Sequence, residues 1–326
     1  MTVRLAFVME SLLCVCLLCV ACGGDDDGGQ RQDAAVAGFD APTFDGFFQA
    51  TDGGDALWGD AASDAATDAG ADGPVRCTPS ALRCEDSLTA ARCAPTGDAW
   101  LRLVCPNGCA NDACNPLGLA TGFELHQFRP TDDTVQILAS YGFTDDGRTA
   151  TQKANAWPSA YITAQSYEGI EVTGKLGVYT ATDDDLVGLV FGWQDPQHFY
   201  LFDWKQTTQD SPACGTANAG GALKVVNADA PLLSCADFWK SGGTTKVKLL
   251  SDPTKNQTGW KDDTAYTFRL VFRPGDIRLE IKEDAVTVVS ITSKDTTYAA
   301  GRFGFYNYSQ EAVRYELVRI APASTL

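Results

Sequence analysis

Three adjacent carboxylates, Asp183, Asp184 and Asp185, stand directly before the apolar run 186–193. Aspartate supplies hard oxygens, and a calcium ion takes about six to eight of them. Left unpaired, neighbouring carboxylates raise one another's pKa values, and a bound cation removes that cost. The triplet cannot close a coordination shell by itself. Asp145, Asp146 and Asp295, in other acidic turns, are candidates to complete it. The competing reading is a solvated turn that guards an apolar strand against edge pairing. Asp203 is the second anomaly, a lone acid inside the aromatic run 198–204. A period of two puts it on one face with Lys205. It is then either a solvent-edge carboxylate paired with Lys205 or a polar contact in a binding groove, with His198, Tyr200 and Trp204 as neighbours. Trp239 and Trp260 lie near polar turns, where ligand stacking competes with ordinary core packing.

The chain holds two histidines, His126 and His198, and no nucleophile elbow, His-Glu-x-x-His pair or phosphate loop. A sandwich glycosidase needs two facing carboxylates. Glu280 and Asp284 share a face with Lys282, but the run departs from the spacing such an enzyme wants. The reading is therefore a binding protein and not an enzyme, with a glycoside hydrolase as the minor alternative. A formal net charge of −17 argues against nucleic-acid binding and is compatible with divalent cations or cationic partners.

Twelve cysteines divide by position. Cys77, Cys84, Cys93, Cys105, Cys109 and Cys114 crowd into 77–117, a stretch too small for a self-sufficient core. Three disulfides would staple it, in a connectivity that spacing does not choose. Zinc is disfavoured, because the stretch has no histidine and no Cys-x-x-Cys pair. Cys214 and Cys235 flank a Gly/Ala-rich loop, and a bridge there would contribute about 3 kcal/mol on the chain-entropy model.

The elements that must position these groups lie towards the C-terminus. From about residue 118, short runs such as TVQILASYGF, LVGLVFGW, HFYLFDWK and AYTFRLVF alternate with acidic or Gly/Pro turns. The segment 277–282 alternates strictly between apolar and charged residues, which marks strands with one buried face. In 186–193 both faces are apolar, as expected of a central strand covered on both sides. The implied fold is an all-β, two-sheet jelly-roll sandwich over 118–326. Upstream, 22–76 is an Asp/Ala/Gly-rich tether. Its part 23–75 carries twelve aspartates, no glutamate and one arginine, and it cannot bury enough surface to offset its ordering entropy. Arg4 and the short apolar run 11–21 form a signal peptide over 1–21.

Two resemblances sharpen this picture. The sequence TDDDLVGLVFGWQDPQHFYLFDWKQ (182–206) resembles the signature stretch of the thrombospondin C-terminal domain. The likeness continues through LKVVN (223–227), FWKSG (238–242), DPTKNQTGWKDDTAYTFRLVFRP (252–274) and DTTYAAGRFGFYNYSQEAVRYELV (295–318). It implies a concanavalin-type or L-type-lectin-like sandwich and a calcium-binding adhesion or recognition head. Its partner would be an extracellular protein or matrix glycan, with a sugar-specific lectin as the alternative. The family's upstream calcium repeats are absent from this chain. At the N-terminus, small residues before Cys22 and a polar tether after it resemble a bacterial lipoprotein signal. That implies lipidation of Cys22 and a membrane-anchored protein of the cell envelope. Gly23, where an inner-membrane retention aspartate would stand, points to the outer membrane or cell surface.

Overall fold

The computed structural model describes residues 76–134, 136–255 and 258–323. The signal segment, Cys22 and the tether lie outside the described residues. The first five strands are short: β1 (Leu82–Cys84), β2 (Thr89–Cys93), β3 (Trp100–Val104), β4 (Cys109–Ala110) and β5 (Ala113–Cys114). β1–β3 form a three-stranded sheet and β4–β5 a two-stranded ribbon. So little secondary structure has little to bury, and disulfides supply the core. Cys77 pairs with Cys93, Cys84 with Cys109, and Cys105 with Cys114.

Next come β6 (Phe123–Gln127), β7 (Tyr141–Phe143), β8 (Thr149–Gln152), β9 (Ser159–Glu168) and β10 (Ile170–Val178). The hairpin β11 (Leu186–Asp195) and β12 (His198–Lys205) is followed by β13 (Gln209–Ser211), β14 (Gly215–Ala217) and β15 (Gly220–Asn227). A single helical turn, α1 (Ala236–Trp239), leads to β16 (Val247–Ser251). The chain then runs through β17 (Thr264–Arg273), β18 (Asp276–Glu283), β19 (Val286–Ser293), β20 (Ala300–Tyr308) and β21 (Val313–Pro322).

Two seven-stranded sheets result. Sheet one runs β19-β18-β17-β10-β21-β8-β7, and sheet two runs β16-β15-β12-β11-β20-β9-β6. The core between them takes the odd face of β11 (Val187, Leu189, Phe191) and the even face of β12 (Tyr200, Phe202, Trp204). Phe268, Leu270 and Phe272 of β17 and Leu279 and Ile281 of β18 meet them from sheet one. The strict alternation of β18 thus buries its apolar set and leaves its charges outside.

The other face of sheet two is covered as well. Leu186, Val190, Phe199, Leu201, Tyr306 and Tyr308 pack under Phe128, Leu232, Phe238 and Trp239, which come from loop segments and α1. A Cys214–Cys235 disulfide ties that covering layer together. This second layer explains why 186–193 is apolar on both faces. Gly188 has a separate cause: a Cβ there would sit 1.9 Å from the carbonyl oxygen of Phe202 on the neighbouring strand β12.

The cysteine-rich segment packs on sheet one. The Leu117 amide donates to the Val318 carbonyl at 2.7 Å, and Arg319 donates to the Cys114 carbonyl at 2.9 Å. Arg92, itself buried, reaches Glu171 of β10 at 3.4 Å. No described helix is long and apolar enough to cross a membrane.

Candidate functional site

The loop 179–185 leads from β10 in sheet one to β11 in sheet two, and the triplet is the last part of that loop. Its backbone is held from several sides. The Asp185 amide donates to Gln310 Oε1 at 2.8 Å, the Trp260 indole donates to the Asp185 carbonyl at 3.1 Å, and the Gln206 amide donates to the Asp184 carbonyl. One carboxylate oxygen from each of Asp183, Asp184 and Asp185 consequently falls within 4.8 Å of the other two. They face a hollow of about 400 Å³ lined also by Gln206 and Gln209.

A cation already stands on one side of this group. Lys205, at the end of β12, is buried, and its ammonium donates to the Asp184 carbonyl, Asp184 Oδ1, Asp185 Oδ1 and Gln209 Oε1 at 2.8–2.9 Å. Burial would raise the Asp184 carboxyl, but hydrogen bonds from Lys205 and Thr207 outweigh it and hold Asp184 below its ordinary value. Asp183 has no such help. Its partner is the Asn155 amide at 2.9 Å. Burial, and then the charge of Asp185, push its pKa up to about 7. With all three acids ionised, three negative charges against one ammonium leave two unneutralised. The donor set is carboxylate, carbonyl and amide oxygen. It fits a hard divalent cation such as calcium and offers nothing to a soft metal.

The other acids proposed for this shell are not brought to it. Asp145 and Asp146 sit in the β7–β8 turn, where Asp146 accepts from the Thr144 hydroxyl and the Arg148 amide. Asp295 follows β19 and accepts from the Tyr200 hydroxyl at 2.6 Å and the Thr297 amide at 2.9 Å. It belongs to the far end of β12 from Lys205, because Tyr200 and Lys205 are near opposite ends of that strand.

Asp203 also needs correction. It is neither at a solvent edge nor paired with Lys205. It is 3% exposed and accepts from Lys224 of β15, which is fully buried. Burial raises the Asp203 pKa and the Lys224 ammonium opposes the rise. The reason lies in the register. β15 runs beside β12 with Asp203 opposite Ala222, which places Lys224 diagonally across from the acid. The second layer then seals the pair. A groove role fails for the same reason, since Tyr200, Trp204 and Trp260 are all buried in the inter-sheet core. His198 is half-buried in the β11–β12 turn and bonds Asp195 at 2.8 Å.

Of the proposed aromatic residues, Trp239 borders a cavity. Beside the triplet, a hollow of about 310 Å³ is lined by Asp132, Asp133, Asp185, Gln209, Trp239 and Tyr308, among others. Tyr308 donates to Asp133 at 2.7 Å, and the Lys205 ammonium lies 5.0 Å from the Trp239 ring centroid. Asp132 and Asp133 escaped the sequence reading, although their Thr-Asp-Asp-Thr run (131–134) was the available signal. A larger open trough of about 360 Å³ lies on the outer face of sheet one. Of its charges, Lys282 pairs with Glu280 across the trough and Arg269 with Glu171 beside it.

Comparison with known proteins adds the following. The profile of the thrombospondin C-terminal region matches residues 136–321. Thrombospondin-2 of Gallus gallus is 36% identical over 225 residues, 65% of this chain and 18% of that protein. Human thrombospondin-2 is 35% identical over the same shares. Cartilage oligomeric matrix protein of Bos taurus is 34% identical over 57% of this chain and 26% of that protein. The chain thus spans about a fifth to a quarter of the length of these relatives. Similar solved structures include a carbohydrate-binding module, CBM66, of Bacillus subtilis. Its TM-score is 0.39 at 10% identity, covering 61% of this chain and 95% of that one. The exoplasmic domain of VIP36, in a Ca2+/Man3GlcNAc-bound form, scores 0.40 at 10% identity, covering 64% and 86%.

Proposed function

The chain belongs to the thrombospondin C-terminal family, and on that premise we propose that it is a calcium-binding adhesion or recognition protein of the cell envelope. The observation that carries the calcium reading is the imbalance at the triplet. Lys205 satisfies Asp184 and one oxygen of Asp185, and Asp183 is left to share a proton with its neighbour or to meet a cation. Asp183, Asp184 and Asp185 would hold the ion, with water and backbone oxygens completing the shell. When bound, calcium supplies charge neutralisation that fixes the loop entering β11. Lys205 and Gln310 keep that loop in register, so this chain's own residues preorganise the site.

The remaining architecture follows from the sequence. Lipidation at Cys22 would anchor the chain, and 22–76 would carry a cysteine-rich segment (77–117) and the sandwich (118–326) away from the membrane. The partner would be an extracellular protein or a matrix glycan. A pull-down with the purified full chain from extracellular-matrix extract tests this reading. Retention of a partner in calcium, lost in chelator and in the Asp183→Asn/Asp185→Asn variant, is the expected result. A partner held equally in chelator removes the calcium dependence, and no partner in either buffer removes the recognition role.

A further inference from the structure

The outer face of sheet one runs against the charge of the chain. Five bases, Lys175, Arg269, Arg278, Lys282 and Arg319, line two hollows there against a single acid, Glu280. The chain as a whole carries −17. The acids beside the walls do not restore the balance. Glu171 serves both Arg269 and Arg92, and Asp276 serves both Arg273 and Arg278. Glu316 stands opposite Lys175 across the β10–β21 ladder and pairs with Arg314 instead. Among the described residues, Lys175 and Arg319 have no carboxylate partner, and Arg319 gives one amino group to the Cys114 carbonyl.

Shape agrees with charge. The larger hollow, about 360 Å³, opens where β10 and β21 shift register between Thr173 and Lys175. Leu317, at a φ of 52°, belongs to that bulge and is turned outward. The smaller hollow, about 200 Å³, shares Arg269 and Glu280 with the larger and continues to Ser290 and Thr292 of β19. Together they cross β21, β10, β17, β18 and β19, which are neighbours in the sheet, a run of about 20 Å at the usual strand spacing. The floor then selects the ligand. β10, β17 and β18 are interior strands, so their backbones are committed to ladders and no peptide can add to them. Phe268, the ring in the wall, is 2% exposed and leaves a neutral sugar nothing to stack on. Guanidinium and ammonium groups remain, with the hydroxyls of Thr173, Thr267 and Thr292.

We propose that this trough binds a polyuronate, an acidic polysaccharide laid across the strands. Its planar carboxylates meet the arginine forks and the lysines, and its ring hydroxyls meet the threonines. The trough shares no residue with the hollow at the triplet. The inference therefore goes beyond the recognition reading and adds a ligand that needs no calcium.

The test is calorimetric titration of the full chain, in chelator at about 50 mM salt, with a galacturonic acid hexamer. Its methyl ester is the neutral control, and a hexaglutamate peptide and a sulfated dextran hexamer are the rival anions. The acid should bind about tenfold or more tightly than the ester, and that advantage should shrink severalfold at about 200 mM salt. Lys175→Glu/Lys282→Glu, at two surface side chains, should lower the affinity by about tenfold or more. The salt dependence tests the same contacts without any variant. Equal affinity for the ester, tighter binding of the peptide or of the sulfated chain, or no binding at about 10 mM overturns the inference. Matrix capture washed in about 0.5 M salt, which screens exposed ionic contacts, reads the calcium-held partner alone. Capture that survives there while the uronate fails leaves the recognition role standing and removes only the trough.

Discussion

Two buried lysines lie near one face of sheet two, and they do opposite work. Lys224 meets Asp203 in the interior, under the layer tied by Cys214–Cys235. Lys205 meets Asp184 and Asp185 at the rim, where Asp184 keeps 35% of its side chain exposed. The inner pair is closed, one acid for one base. At the rim a single base faces three acids. A closed buried pair is a structural device whose desolvation cost roughly cancels its attraction. An unbalanced group at the surface has spare charge, and spare charge is what a ligand can use. The difference is one of partner count and access, since the residue types are the same.

Substitution of each lysine should break that comparison most sharply. Lys224→Met strands Asp203 in the interior and should cost about 3–5 kcal/mol, towards the lower end because Asp203 can neutralise itself by taking a proton. The Asp203→Leu/Lys224→Met double variant should recover most of that loss. Neither value should depend on calcium. Lys205→Met should cost about 2–3 kcal/mol in chelator, since it removes hydrogen bonds to two charged acids, and clearly less in calcium, which compensates the same acids. Urea unfolding with and without calcium measures all four. A calcium-independent cost for Lys205→Met would place both lysines in the same structural class.

A smaller effect follows from Asp183. Its carboxyl, ordinarily near 3.8, is raised to about 7 in the folded chain, chiefly by burial and then by Asp185. The native state therefore binds this proton more tightly than the unfolded chain does. In chelator the stabilisation is complete below the unfolded value and is lost as pH rises through about 7. Asp183→Asn should flatten that part of the pH profile, and calcium should bind more weakly as pH falls across the same window. A wild-type profile that stays flat from acid to neutral pH would contradict the assignment.

Much of the frame was legible in the residues. The alternation of 277–282 and the two-faced apolar run 186–193 follow from which side chains must be buried, and such patterns survive folding because the sandwich core enforces them. The Asp triplet was visible as a candidate cation site from its charge alone. Its partners were not. Lys205 shares a strand face with Asp203, and only the cross-strand register with β15 and the fold of the 183–185 loop assign each its actual partner. Asp295 looked equivalent to any other acid until the topology placed it beside Tyr200. The second layer over sheet two is built from loops and a four-residue helix. Such segments carry no period to read, so the burial of Asp203 was out of reach.

The account turns on calcium at the triplet, and the melting temperature of the full chain in calcium and in chelator tests it most directly. Calcium a hundredfold above its dissociation constant should stabilise by about 2.7 kcal/mol, a rise of roughly 5–10 °C for a domain of this size. The Asp183→Asn/Asp185→Asn variant should lose most of that rise. Identical melting temperatures for the wild type in the two buffers would contradict the site and return the triplet to a solvated turn.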